Sequence, residues 1–217
     1  GDADVNGRIV PGVMCAIALA WPAAVVAQNT RAIAIRAEMA SVLLQSKQYE
    51  EAASEYRVLL AHSPRNHAYR LNLARALMWG NRPREAEAEL NVLITQRGRE
   101  PQLEAMLLSA RQQLVPSSDE AASWLRERPT SLEYRRMLAR SLARERRSMD
   151  ALTQYDTLIA LRPSHDLFLE RAYVHLERRD FAAAERDVAA SIRLSPTGDA
   201  HVLRRDLYRV RGDFTAA

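Results

Sequence analysis

Seven glycines in 217 residues leave little material for phosphate-cradling loops, and neither a G-x-x-x-x-G-K nor a G-x-G-x-x-G run occurs. The single cysteine, Cys15, excludes an intrachain disulfide framework, and no Cys/His set has zinc spacing. Everything after it is cysteine-free, which suits an oxidising compartment. Aromatic residues make up only 6 %, and a dedicated nucleic-acid face would need a basic stripe together with stacking aromatics. The histidines are His62, His67, His165, His175 and His201, and none sits at i, i+4 from another beside a helical carboxylate. Ser164-His165-Asp166 is contiguous, whereas a catalytic triad needs members converging in space, so this reads as a helix cap. No run of alternating β-branched residues suggests a strand. These absences point away from an enzyme, a metal site and a cofactor.

What is abundant is alanine, leucine, arginine and glutamate, the composition of a helical protein. The 47 % apolar content is ample for a core, and the 31 basic and 27 acidic residues are interspersed as on a solvated helical surface. Residues 131–163 set the pattern. Leu138, Ala139 and Leu142 share one helical face, and Ala151, Tyr155, Leu158 and Ile159 another. Pro163 then stops the chain from continuing as helix. Neither helix can bury its stripe alone, so the two must pack on each other and on neighbours of the same kind.

The pattern recurs. Ala40, Ala74, Ser109, Ala139 and Ala172 mark small contact positions in first helices, and Ala52, Ala86, Ala121, Ala151 and Ala184 mark those in second helices, twelve residues on each time. Steps of 34, 35, 30 and 33 between pairs indicate a helix-turn-helix repeat. With Lys47 to Pro64 (KQYEEAASEYRVLLAHSP), residues 131–163 and Arg178 to Pro196 as its clearest members, the chain resembles the tetratricopeptide repeat (TPR) family over about residues 31–217. Tyr49, Met149 and Phe181 stand before the small residue, Tyr56, Tyr155 and Val188 four after it.

The resemblance implies an all-α, TPR-like α-solenoid of about five repeats plus a C-terminal helix: 33–66, 67–101, 102–130, 131–164, 165–197 and a partial 198–217. The family's first-helix tryptophan is replaced by Arg36, Arg70 and Arg135, with Phe168 the one bulky match. The third repeat is the least regular. Pro116 lies in its connector, Ser117 or Ser118 can cap its second helix, and Pro129 arrives about one turn early, so a change in superhelical pitch is expected there. Asp199 to Arg211 reads as a further first helix with Arg205 at the small position, followed by a start of its partner.

Residues 9–27 (IVPGVMCAIALAWPAAVVA) carry no charge over nineteen residues after Arg8. Val25 and Ala27 are spaced as a signal-peptidase site requires, so 1–30 reads as a signal peptide cleaved after Ala27. The same length allows an uncleaved membrane anchor, and a buried helix is the third reading. A periplasmic or otherwise extracytoplasmic location, membrane-anchored in the second case, follows from the first two.

Function must then lie on a surface. By the resemblance, the first helices line a concave groove that holds a peptide or helix of a partner protein: Leu71, Arg75, Met78, Trp79 and Met106, then Arg136, Arg140 and Arg144, then Leu169, Tyr173 and Glu177. The family's two-carboxylate clamp is not expected, because Ala37 and Ser41 stand where the first repeat would supply it. Met78, Trp79 and Met106 suit an apolar segment, with packing at the turn as the competing role for Trp79. Arg136, Arg140 and Arg144 form one ridge at i, i+4, i+8, fit either for an acidic ligand or for pairing with Asp166 and Glu170. Three functions are consistent with this: an assembly or structural subunit of a membrane-associated complex, a periplasmic TPR module of an exopolysaccharide export system, or a cytosolic binder of nucleic acid or acidic ligands.

Overall fold

The computed structural model describes residue 28 and residues 30–212. The apolar run at 9–27, with its expected cleavage site, and the partner-helix start at 213–217 lie outside the described residues. Among those described, the secondary structure is entirely helical. Helix α1 spans 30–45. It is followed by α2 (Tyr49–His62), α3 (His67–Trp79), α4 (Pro83–Arg97), α5 (Pro101–Gln112), α6 (Ser118–Glu127), α7 (Leu132–Arg144), α8 (Ser148–Leu161), α9 (His165–Glu177), α10 (Phe181–Leu194) and α11 (Gly198–Arg211). Odd-numbered helices are first helices of a repeat and even-numbered ones second helices. No described helix is long and apolar enough to cross a membrane.

Most repeats begin and end by the same devices. Asn66, Ser131, Ser164 and Thr197, one or two residues past a proline, cap α3, α7, α9 and α11 with their side-chain oxygens. The turn between first and second helix is built identically four times. Lys47, Asn81, Arg146 and Arg179 all hold a positive φ near 60°. The next residue's N–H returns to a carbonyl five back, as in Gln48 to Leu43 and Arg147 to Leu142, both at 2.9 Å. This is the six-to-one bond of a Schellman ending, which usually recruits glycine. Here lysine, asparagine and arginine occupy the left-handed position instead.

The small residues are where the helices touch. Ala40, Ala52, Ala74, Ala86, Ala121, Ala139, Ala151 and Ala172 are all fully buried. In the third pair the buried residue on the first helix is Ala110, not Ser109, which stays half-exposed. Two adjacent small residues made the register ambiguous in the sequence. The left-handed turn is also missing between α5 and α6. The chain divides there into two compact units, one ending at Leu114 and one beginning at Val115. In the first unit α2 packs on α3, α3 on α4 and α4 on α5; in the second α6 packs on α7, α7 on α8, α8 on α9, α9 on α10 and α10 on α11. The segment read as a third repeat therefore spans the boundary.

The start of the second unit is tied down by α7. The Ser141 hydroxyl and the Arg144 guanidinium donate to the Pro116 carbonyl at 3.0 and 2.8 Å. The Ser118 N–H donates to the Glu145 carboxylate at 2.6 Å, and hydrogen bonding from the Ser118 side chain and backbone holds that carboxyl below its ordinary pKa. At the far end, α11 buries Ala200, Leu203 and Leu207 and leaves Arg205 exposed, as its non-alanine identity at the contact position requires.

Candidate functional site

The arginines that stand in place of the family tryptophan are structural. Arg36 binds Glu55 at 2.7 Å, Arg70 binds Glu89, and Arg135 donates to Gln154 at 2.9 Å, each partner nineteen residues on and facing it from the second helix. Arg70 and Arg135 also donate to the carbonyls of Pro64 and Pro129, six residues back. In the last complete repeat Phe168 takes the arginine's place, and Arg171, one turn later, reaches the equivalent carboxylate, Asp187. Arg171 lies over the Phe168 ring, 5.6 Å from its centroid.

In the first unit, α3 presents Leu71, Arg75, Met78 and Trp79, and α5 presents Met106. Leu71, Met78 and Met106 are half-buried against the core cluster. Arg75 donates to Asn72 at 3.2 Å. Trp79 is 56 % exposed, its ring 5.8 Å from that of Tyr49. Gly80 permits this approach, since a Cβ there would meet the Ala76 carbonyl at 3.0 Å and the Tyr49 Cβ at 3.3 Å. Trp79 thus packs on one face at the turn and offers the other.

In the second unit the same positions carry charge. Arg136 donates to both oxygens of Glu170, at 2.6 Å for the shortest contact, and Arg140 binds the same carboxylate. Asp166 adds a 3.6 Å contact to Arg136. Burial alone would raise the Glu170 carboxyl, but hydrogen bonds from the two guanidinium groups outweigh it and hold the pKa below the usual range. Burial, reinforced by the Glu170 charge, pushes the Tyr155 phenol up. The arginine ridge is therefore committed internally: two members to Glu170, and the third, Arg144, to the Pro116 carbonyl. Leu169 is only 8 % exposed and belongs to a core cluster with Ala172, Val188, Ala200 and Leu203, so it offers no surface. It faces inward because α9 is covered by both α8 and α10.

What remains open is a cavity of about 380 Å³ over α7, α8 and α9. Its walls include Arg140, Arg144, Tyr155, Glu170 and Tyr173, with Ala143 and Val174 supplying apolar floor. Tyr173 is half-exposed. An aromatic face, a partly solvated guanidinium and a small apolar floor can hold one or two side chains of an extended or helical segment. Among the described residues, no group of three or more His, Cys, Asp or Glu side chains is placed to hold a metal ion.

Two family models match the chain, both described as tetratricopeptide repeat, over residues 43–109 and 136–199. The chain belongs to the tetratricopeptide repeat family. The solved structures it resembles are distant in sequence. YrrB, described as a TPR protein with an unusual peptide-binding site, is 15 % identical with a TM-score of 0.56, covering 78 % of this chain and 89 % of that one. MamA is 12 % identical with a TM-score of 0.54, covering 85 % and 96 %. A tetratricopeptide repeat protein from Parabacteroides merdae ATCC 43184 is 17 % identical with a TM-score of 0.50, covering 83 % and 73 %. At these identities the likeness speaks for the fold alone. No curated protein sequence matches. The internal ion pairs at the tryptophan position could have been found in the sequence only by comparing the TPR repeats at an offset of nineteen.

Proposed function

We propose that this TPR chain is a non-catalytic docking scaffold of the cell envelope that holds a segment of a partner protein against its first helices. In this reading it is an assembly or structural subunit of a membrane-associated complex, exported or tethered through residues 9–27. The observation that carries the docking role is the cavity walled by Arg140, Arg144 and Tyr173, together with the exposed indole of Trp79, which holds in the first unit the repeat position of Arg144. Large amphipathic side chains left half in water on first helices are the residue types that dominate binding energy at interfaces. The peptide site described for YrrB is in keeping with such a role. The nucleic-acid alternative loses support, because Arg136 and Arg140 are held by Glu170 and Arg144 by a backbone carbonyl, which leaves fewer guanidinium donors aimed at solvent.

The test places a photoreactive phenylalanine analogue at Tyr173, at Trp79 and, as a control, at Leu161 on the exposed end of a second helix, in the full chain in its native cells. Ultraviolet-dependent adducts of one discrete mass at Tyr173 or Trp79 and none at Leu161 are expected. No adduct at either first-helix site, or equal adducts at all three, would sink the docking reading. Intact mass of the protein from soluble and membrane fractions tests the tether. A soluble species starting at Gln28 means cleavage, and a membrane species retaining 9–27 means an anchor.

A further inference from the structure

Among the described residues, the outer face of α1 is left without a covering helix. Ile35, Met39 and Val42, at i, i+4 and i+7, form one apolar stripe and are 57, 44 and 59 % exposed. In three of the other first helices, α3, α7 and α9, internal repetition gives each of them a covered counterpart, five before, one before and two after the buried small residue. In α3 these are Tyr69, Leu73 and Ala76, in α7 Tyr134, Leu138 and Ser141, and in α9 Leu167, Arg171 and Val174. All nine are buried or half-buried. In each case the preceding second helix covers them: α2 on α3, α6 on α7, α8 on α9. The ring pairs Tyr56–Tyr69 at 6.4 Å and Trp124–Tyr134 at 6.2 Å, and the 2.6 Å ion pair from Arg171 to Asp156 of α8, are made across those faces.

We propose that a partner protein supplies an amphipathic helix that packs on Ile35, Met39 and Val42 as α2 packs on Tyr69, Leu73 and Ala76. These residues are distinct from those that wall the cavity described above. The other occupants fit less well. A second copy would have to give a second helix with a free outer face, and among the described residues α2, α4, α6, α8 and α10 each already cover the first helix that follows. A lipid surface would favour a basic rim, but the exposed Arg31 one turn before Ile35 is offset by the exposed Glu38 beside the stripe, and Arg36 is bound to Glu55. Residues 9–27 are uncharged on every side, so laying them on α1 would replace one exposed apolar face with another. An amphipathic helix like α2, with Ala53, Tyr56 and Leu60 inward and Glu51 and Arg57 outward, solves both faces at once.

The chain's own α2 provides the probe. A labelled peptide of residues 49–64, held helical by a staple replacing the exposed Glu50 and Ser54, is titrated into the full chain. Saturable binding is expected, weakened at least tenfold by Met39→Asp in the chain and by Tyr56→Asp in the peptide, and unchanged by Leu161→Asp. Circular dichroism melts confirm that each variant is folded. Absence of binding, or binding indifferent to Met39→Asp, overturns the proposal. So does binding that appears only once residues 1–27 are removed, since the chain's own segment then occupies the face. Self-association or vesicle binding of the full chain that Met39→Asp abolishes overturns it in favour of a second copy or a membrane.

Discussion

Arg171 grips Asp187 with two hydrogen bonds, Nε to Oδ2 at 2.8 Å and Nη2 to Oδ1 at 2.6 Å. Asp187 is almost fully buried, so truncating Arg171 strands a carboxylate in the interface of α9 and α10. Arg171→Ala should lower stability by about 3 kcal/mol, the usual cost of breaking a buried pair from one side. Urea unfolding of Arg171→Ala, Asp187→Asn and the double variant measures it. Strictly additive losses would show that the two side chains are not coupled.

Arg111 and Glu87 pair at 2.8 Å with Arg111 almost wholly buried. Replacing both with apolar residues of similar size, Glu87→Leu with Arg111→Met, should cost about 1 kcal/mol or less, whereas Arg111→Met alone should cost about 3 kcal/mol. Thermal melts of the two variants give the comparison.

The left-handed turn residues predict a gain. Lys47 sits at φ 64°, is exposed, and stands where glycine carries no Cβ penalty. Lys47→Gly should stabilise the first unit by about 0.5–1 kcal/mol, since an L side chain in this region costs roughly 1–2 kcal/mol and glycine gives some of that back in unfolded entropy. Equilibrium unfolding by urea, with an unchanged slope, checks it.

Ala139 has no exposed surface and sits where α7 meets its neighbours. Ala139→Leu should cost about 2 kcal/mol or more by overpacking, while Arg205→Ala on α11 should fall within about 0.5 kcal/mol of the parent. Equal effects at the two sites would contradict the contact geometry.

Two groups set an acid response. The folded Glu170 pKa is lowered, so its stabilisation is present above the unfolded value near 4.5 and is lost as pH falls below it. Burial lowers the His175 pKa from 6.5, outweighing Asp187 and Asp180, so the unfolded chain binds a proton there first. Stability should therefore begin to fall below about pH 6.5 and steepen below 4.5. His175→Gln should remove the first step and Glu170→Gln the second, read from denaturation midpoints between pH 7.5 and 3.5.

The repeat phase was legible because alanines twelve apart coincide with prolines that end each pair. Asp166 and Glu170 as partners of the arginine ridge were legible too, because the helical period aligns equivalent residues on consecutive first helices. The nineteen-residue latches were not. Arg36, Arg70 and Arg135 read as mere departures from a tryptophan, since their partners lie on another helix with no local signal. Family position puts Leu169 in the groove, yet α9 is covered on two sides and turns that residue inward. The turn conformation was hidden because residues other than glycine adopt it. The exposed stripe on α1 was present in the sequence as ordinary amphipathicity, and only its three buried counterparts mark it as different.

Arg70 and Arg135 each hold a carbonyl of the preceding proline and a side chain of their own second helix. A repeat of this chain is thus not a transplantable cassette bounded by its prolines. Cutting at Pro64 or Pro129 would sever one arm of a three-way tie and leave a guanidinium half unsatisfied. Grafts meant to lengthen or shorten the array should break within the second helix, where joining like to like preserves both arms.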